Sequence, residues 1–143
     1  MIVAQARALL GTPYVPHARL PGVGIDCAGV PIVVGRACGL VPPDFDVNGY
    51  SLFPNGQLLA HCDKHLTRIT QAEMKAGDVA IVSWGTGDAQ HFGIVADHPE
   101  YPGELSLIHA SNNRRHMKVI EHRLVFGRHM RFVAAYRFPQ CHS

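Results

Sequence analysis

The sequence is short of the features that mark specialised classes of protein. No apolar run approaches the roughly 20 residues that a membrane-spanning helix needs. Charged residues make up only 17% of the chain. Thirteen Lys and Arg against eleven Asp and Glu leave a formal charge of +2, too weak a field to draw in nucleic acid. The opening stretch, MIVAQARALLG, has neither a basic segment nor a long apolar one. It reads as a short helix rather than a secretion signal, so the expectation is synthesis in the cytoplasm without an export signal of its own. The four cysteines, Cys27, Cys38, Cys62 and Cys141, lack paired spacing. No disulfide framework is expected and free thiols are the default. Internal repeats, linkers and low-complexity segments are also missing.

What is present is ordinary in bulk and unusual in one residue. The 143 residues are 47% hydrophobic, which suits one compact domain over 1–143 with a single core. Ten histidines add positive charge as the pH falls toward about 6, which favours an anionic surface. Ile2, Val3, Ala6, Leu9 and Leu10 fall at helical spacing, with Gly11 as the stop. A Pro- and Gly-rich loop runs from Thr12 to Gly24. Asp26 then caps a helix expected from about Cys27 to Ala37, with Pro31 near its first turn and Gly39 after its end. Residues 41–56 read as loop, and QLLAHCDKHL has helical spacing again. Beyond Met74 the pattern changes to KAGDVAIVSW, HFGIVAD, ELSLIHA, MKVIEHR and RFVAAYRF. Five short strands separated by turn signals predict an antiparallel sheet, and helices followed by strands predict an α+β domain.

Two positions have the makings of chemistry. Cys27 follows the expected cap, where unpaired N–H groups and the helix dipole favour a thiolate and can hold a developing oxyanion. Gly24 and Gly29 on either side leave room for a substrate backbone. The alternative is a small buried cysteine. Cys38, in the last turn of that helix, has the geometry of a core residue and is assigned no chemistry. A thiol nucleophile needs a base and a group to orient that base. His91 opens one strand and His109 closes the next, so an antiparallel hairpin would set them side by side. His91 would take the thiol proton and His109 would hold its far nitrogen. With ten histidines available, spacing alone does not select these two.

Taken in order, five segments resemble the NlpC/P60 family. ARALLGTPY is similar to its opening helix and turn, and D-C-A-G from Asp26 to Gly29 to its nucleophile motif. KAGDVAIV resembles its first core strand, HFGIVAD its histidine strand and LIHAS its third-residue strand. The resemblance implies a papain-like α+β fold with N-terminal helices packed on a C-terminal antiparallel sheet. It implies Cys27 as nucleophile, His91 as base and His109 as the orienting residue, with no cofactor and no metal. Tyr14, Asp26 and Ala28 would line the oxyanion and substrate side. The Tyr14 hydroxyl would stand beside the Cys27 N–H, or else its ring would anchor the turn, and Asp26 would cap. Ala28 stands where the family usually has serine. The implied reaction is hydrolysis of amide bonds in peptidoglycan stem peptides, commonly between D-γ-glutamyl and diaminopimelate. Arg19, Arg114 and Arg115 are candidates for a cationic wall facing the substrate carboxylates, each with a solvated loop charge as its alternative. HARLPGVGIDC looks more like the phage-borne branch, which implies phage tail proteins as partners.

Three rivals remain at this point. His61 and His65, four apart with Cys62 between them, have helical metal-ligand spacing, but Cys62 stands where a zinc protease has its Glu. An acyltransferase or lipid-type thiol hydrolase on the same fold would use the same thiol and histidines, and a hydrophobic groove would favour it. A non-catalytic tail component would keep the fold alone.

Overall fold

A computed structural model of the chain describes residues 1–46, 62–84 and 90–139. The first helix, α1 (Ile2–Arg7), ends sooner than its apolar spacing predicts. Residues 8–11 continue as a turn that closes at Gly11, whose φ of 86° lies in the left-handed region. The Pro- and Gly-rich loop folds into a small hairpin of β1 (Arg19–Leu20) and β2 (Gly24–Ile25), too short to show as a period in the sequence. The second helix, α2 (Gly29–Ala37), stops ahead of Gly39 as expected. Cys62 to His65 are helical, and the rest of the predicted helix over QLLAHCDKHL lies largely outside the described residues.

All five expected strands form. They are β4 (Val79–Trp84), β5 (Gln90–Asp97), β6 (Leu105–Ala110), β7 (Val119–Arg123) and β8 (Met130–Arg137). A sixth, β3 (Thr67–Ile69), has only three residues and little apolar pattern. The sheet is antiparallel in the order β3-β8-β4-β5-β6-β7. Thus β4 to β7 form a meander, and β8 returns to pair with β4. This is the α+β architecture the sequence predicts.

Alternation along the strands divides the interior in two. Val79, Ile81, Phe92, Ile94, Ile108 and Tyr136 face the helices and pack with Ala6, Leu9, Val30 and Val34. Ala80, Val82, Val95, Leu107 and Met130 face the other way, against Met74, Trp84, Leu105, Leu124 and Phe126. The same alternation puts His91, His109 and His122 on this second face, away from α2.

Candidate active site

The thiol lies on the helix side of the sheet and the three histidines on the other, and the thiol stands beside Phe92 at the place where two strands part. Along β5 the peptide groups alternate sides. Val95 donates to Asp78 on the β4 side at 2.8 Å, so the N–H groups of Phe92, Ile94 and Ala96 point toward β6. The β5–β6 ladder runs only from Ile94↔Ile108 to Asp97↔Leu105. The Phe92 N–H therefore has no strand to donate to, and it stands near enough to the Cys27 thiol, as does the Ala28 N–H, to favour negative charge on the sulfur. Phe92 directly follows His91, so this approach brings the thiol to the peptide that carries the expected base.

Cys27 is held from its other side by a saturated carboxylate. Asp26 is 2% exposed. It accepts the His17 N–H at 2.7 Å, the Gly29 N–H at 2.9 Å and the Arg19 guanidinium at 2.8 Å. Through Gly29 it caps the entry to α2, the role the sequence gives it. Arg19 also reaches the Ala18 carbonyl at 2.9 Å and Asp46 at 3.2 Å. It is built into this cradle and is not a free cation for substrate, which corrects one expectation. Arg114 and Arg115 lie exposed in the turn after β6.

Two further corrections follow. Helix α2 begins two residues after the thiol, because a turn closed by Gly29 N–H to the Asp26 carbonyl at 3.1 Å precedes it. The expected lowering of the thiol pKa does not occur. Burial, with Asp26 adding to it, pushes Cys27 up to about 12 against the pull of the Phe92 and Ala28 N–H groups and Arg19. A helix end contributes about 0.3–1 kcal/mol, whereas full burial moves a group by up to about 3–5 pKa units, so burial wins. Gly24 and Gly29 are also required for packing. A Cβ on Gly24 would lie 2.7 Å from Val15 Cγ2, and one on Gly29 2.6 Å from Ile25 Cγ1.

His91 is 4% exposed, and burial holds its pKa below the ordinary imidazole value. His109 is 2% exposed, and burial, with the neighbouring His122 and His91, takes it down to about 3. Continuing the β5–β6 register sets Gly93 opposite His109 and His91 diagonal to it. Gly93 is needed there, because a Cβ would come within 2.5 Å of Leu107 Cδ1. Trp84 packs against three imidazoles, with ring centroids 6.1 Å from His91, 5.4 Å from His109 and 5.7 Å from His122. The expected hydrogen bond from His109 to His91 is not drawn. His109 Nε2 instead lies 2.8 Å from His122 Nε2, and Nδ1 of both His91 and His109 is buried without a partner.

Tyr14 is half-buried beside the thiol. Burial and the neighbouring Cys27 and Asp26 hold its hydroxyl well above the usual range. Ala28 is 1% exposed and packs in the helix-side core. With Pro31, Ile32, Phe92 and Phe138 it lines an apolar cavity of about 60 Å³. Cys62 and His65 also border this cavity. Burial and Asp63 push the Cys62 thiol up to about 12, and His65 stands edge-on to Phe45 at 4.7 Å. His61 lies outside the described residues. Among the described residues no three His, Cys, Asp or Glu side chains converge as a metal site would require. Sequence reasoning missed His122, Trp84 and the role of the Phe92 N–H. Only the β6–β7 register, with Leu107 opposite His122, would have shown the first.

Comparison with protein families and with curated proteins returns no match. In fold, the chain is similar to a solved structure from Staphylococcus aureus described as similar to lipoprotein, of the NLP/P60 family. The TM-score is 0.58 at 18% identity, covering 98% of this chain and 41% of that one. The likeness speaks for the fold, and the chain spans less than half the length of that protein.

Proposed function

We propose that residues 1–143 are a single catalytic domain that hydrolyses amide bonds in peptidoglycan stem peptides, with Cys27 as nucleophile and His91 as base. The observation that supports this most is the buried Cys27 thiol beside the Phe92 N–H, the peptide that follows His91, where the β5–β6 ladder has ended. A raised thiol pKa and a lowered imidazole pKa both favour the neutral pair over a resting ion pair. Attack therefore requires the Cys27 proton to pass to His91 as the sulfur–carbon bond forms. The Cys27 N–H and the Tyr14 hydroxyl face the developing oxyanion. His91 then returns the proton to the leaving amine, and a water that it deprotonates releases the acyl group. The D-γ-glutamyl–diaminopimelate bond is the proposed target. Resemblance to the phage-borne branch adds tail proteins as proposed partners.

The apolar cavity behind Ala28 and Phe92 is the feature that the acyl-transfer alternative would use. The decisive experiment is digestion of defined stem peptides by the wild type and by Cys27→Ala, read by mass spectrometry. Amide cleavage is expected from the wild type, reduced at least about 10³-fold by the substitution. A folded wild type that cleaves none of the peptides overturns the substrate reading, and turnover of acyl thioesters alone would favour acyl transfer.

A further inference from the structure

The face that carries His91 has a hydrogen-bond chain, running from the surface inward, that the catalytic reading does not use. His122 Nδ1 lies 3.0 Å from the Arg123 carbonyl oxygen. A carbonyl only accepts, so Nδ1 carries the proton, and in the neutral ring Nε2 holds a lone pair. That lone pair faces His109 Nε2 at 2.8 Å, so His109 must be protonated at Nε2. The remaining nitrogen of His109, Nδ1, is then a bare acceptor, buried without a hydrogen-bond partner, against the Ala110 carbonyl, which favours a proton on this ring. Nδ1 of His91, on the same face, is likewise buried without a partner. Trp84 packs against all three rings and holds their order.

We propose that His122 is a positioning residue that fixes the tautomer of His109, so that His109 offers a lone pair rather than a proton toward His91. The inference rests on His91 being the base. Once His91 has taken the Cys27 proton it is a cation with two N–H donors, one of which needs an acceptor on this dry face. A donor at that position would oppose the charge, whereas the lone pair that His122 secures stabilises it. Which ring nitrogen of a histidine carries the proton is set by the hydrogen bond the other makes, and the tautomer of the base is a large lever in serine hydrolases.

The test uses the whole chain labelled with ¹⁵N-histidine. In the wild type, long-range ¹H–¹⁵N spectra should show His109 protonated at Nε2 and His122 at Nδ1. His122→Leu should leave His109 as a mixture or shift its proton to Nδ1. His122→Gln, whose amide oxygen can accept from His109, should restore the wild-type pattern. On a cleaved stem peptide, His122→Leu should lower kcat about tenfold or more with KM little changed, and His122→Gln should recover most of the loss. An Nδ1-protonated His109 in the wild type, or no spectral change in His122→Leu, overturns the proposal. Equal kcat losses in the Leu and Gln variants would do so too. If the wild type cleaves nothing, the peptidase reading fails by itself, while the spectra still decide the tautomer.

Discussion

Asp26, next to the thiol in sequence, and His91, next to the Phe92 N–H beside it, are satisfied in opposite ways. The carboxylate is saturated, receiving two backbone N–H groups and a guanidinium. The imidazole has a buried nitrogen with nothing opposite it. Native interiors rarely leave a polar atom unpaired, and an exception calls for an explanation. The contrast separates architecture from chemistry. A group whose bonds are all made holds the backbone in place, and a group with a vacant valence is free to move a proton. The cradle around Asp26 fixes where Cys27 stands, and the histidine face supplies what can act on it.

Three experiments would break or sharpen this contrast. The largest effect is expected on the chemical side. His91→Gln should lower stem-peptide cleavage by about 10²–10⁴-fold while the thermal midpoint stays near that of the wild type. An unfolded variant would place His91 with the architecture instead. Next comes the cradle. Asp26→Ala takes one carboxylate from the Arg19 guanidinium, which keeps Asp46, and unpairs the His17 and Gly29 N–H groups. It should cost about 1–3 kcal/mol in urea unfolding, as leaving buried donors unsatisfied does. A loss below 1 kcal/mol would remove the architectural reading of Asp26.

The third effect depends on pH. The pKa of His109 is depressed in the fold, from 6.5 to about 3, so the unfolded chain binds the proton more readily. The contribution to stability is complete above about pH 6.5. It falls as the pH drops from 6.5 toward 3 and levels off below that, with a slope of up to about 1.4 kcal/mol per pH unit. His91, shifted the same way, adds to the trend. Urea midpoints measured between pH 7 and pH 4 should therefore fall less steeply in His109→Gln than in the wild type. Parallel curves would mean that His109 is not desolvated.

Much of this was legible in the residues. Alternation in VAIVSW, HFGIVAD and LSLIHA gave the strands and put His91 and His109 on one face, because a period of two needs no tertiary information. The resemblance through D-C-A-G singled out Cys27. Three things depended on contacts distant in sequence. The return of β8 to β4 is invisible locally. So is the role of Arg19, which is an exposed loop cation in the sequence and an ion-pair partner of Asp26 and Asp46 in the fold. The sign of the Cys27 shift depended on how deeply the sulfur is buried, and a helix-end argument cannot supply that depth.

The parting of β5 from β6 has a consequence for how the protein matures. The strands unzip at Ile94 and Ile108, and the end of an N-terminal helix is the wedge that fills the opening. On the proposed reading, neither the helical half nor the sheet half can assemble the reacting pair alone, so a partly folded chain would be an unarmed one.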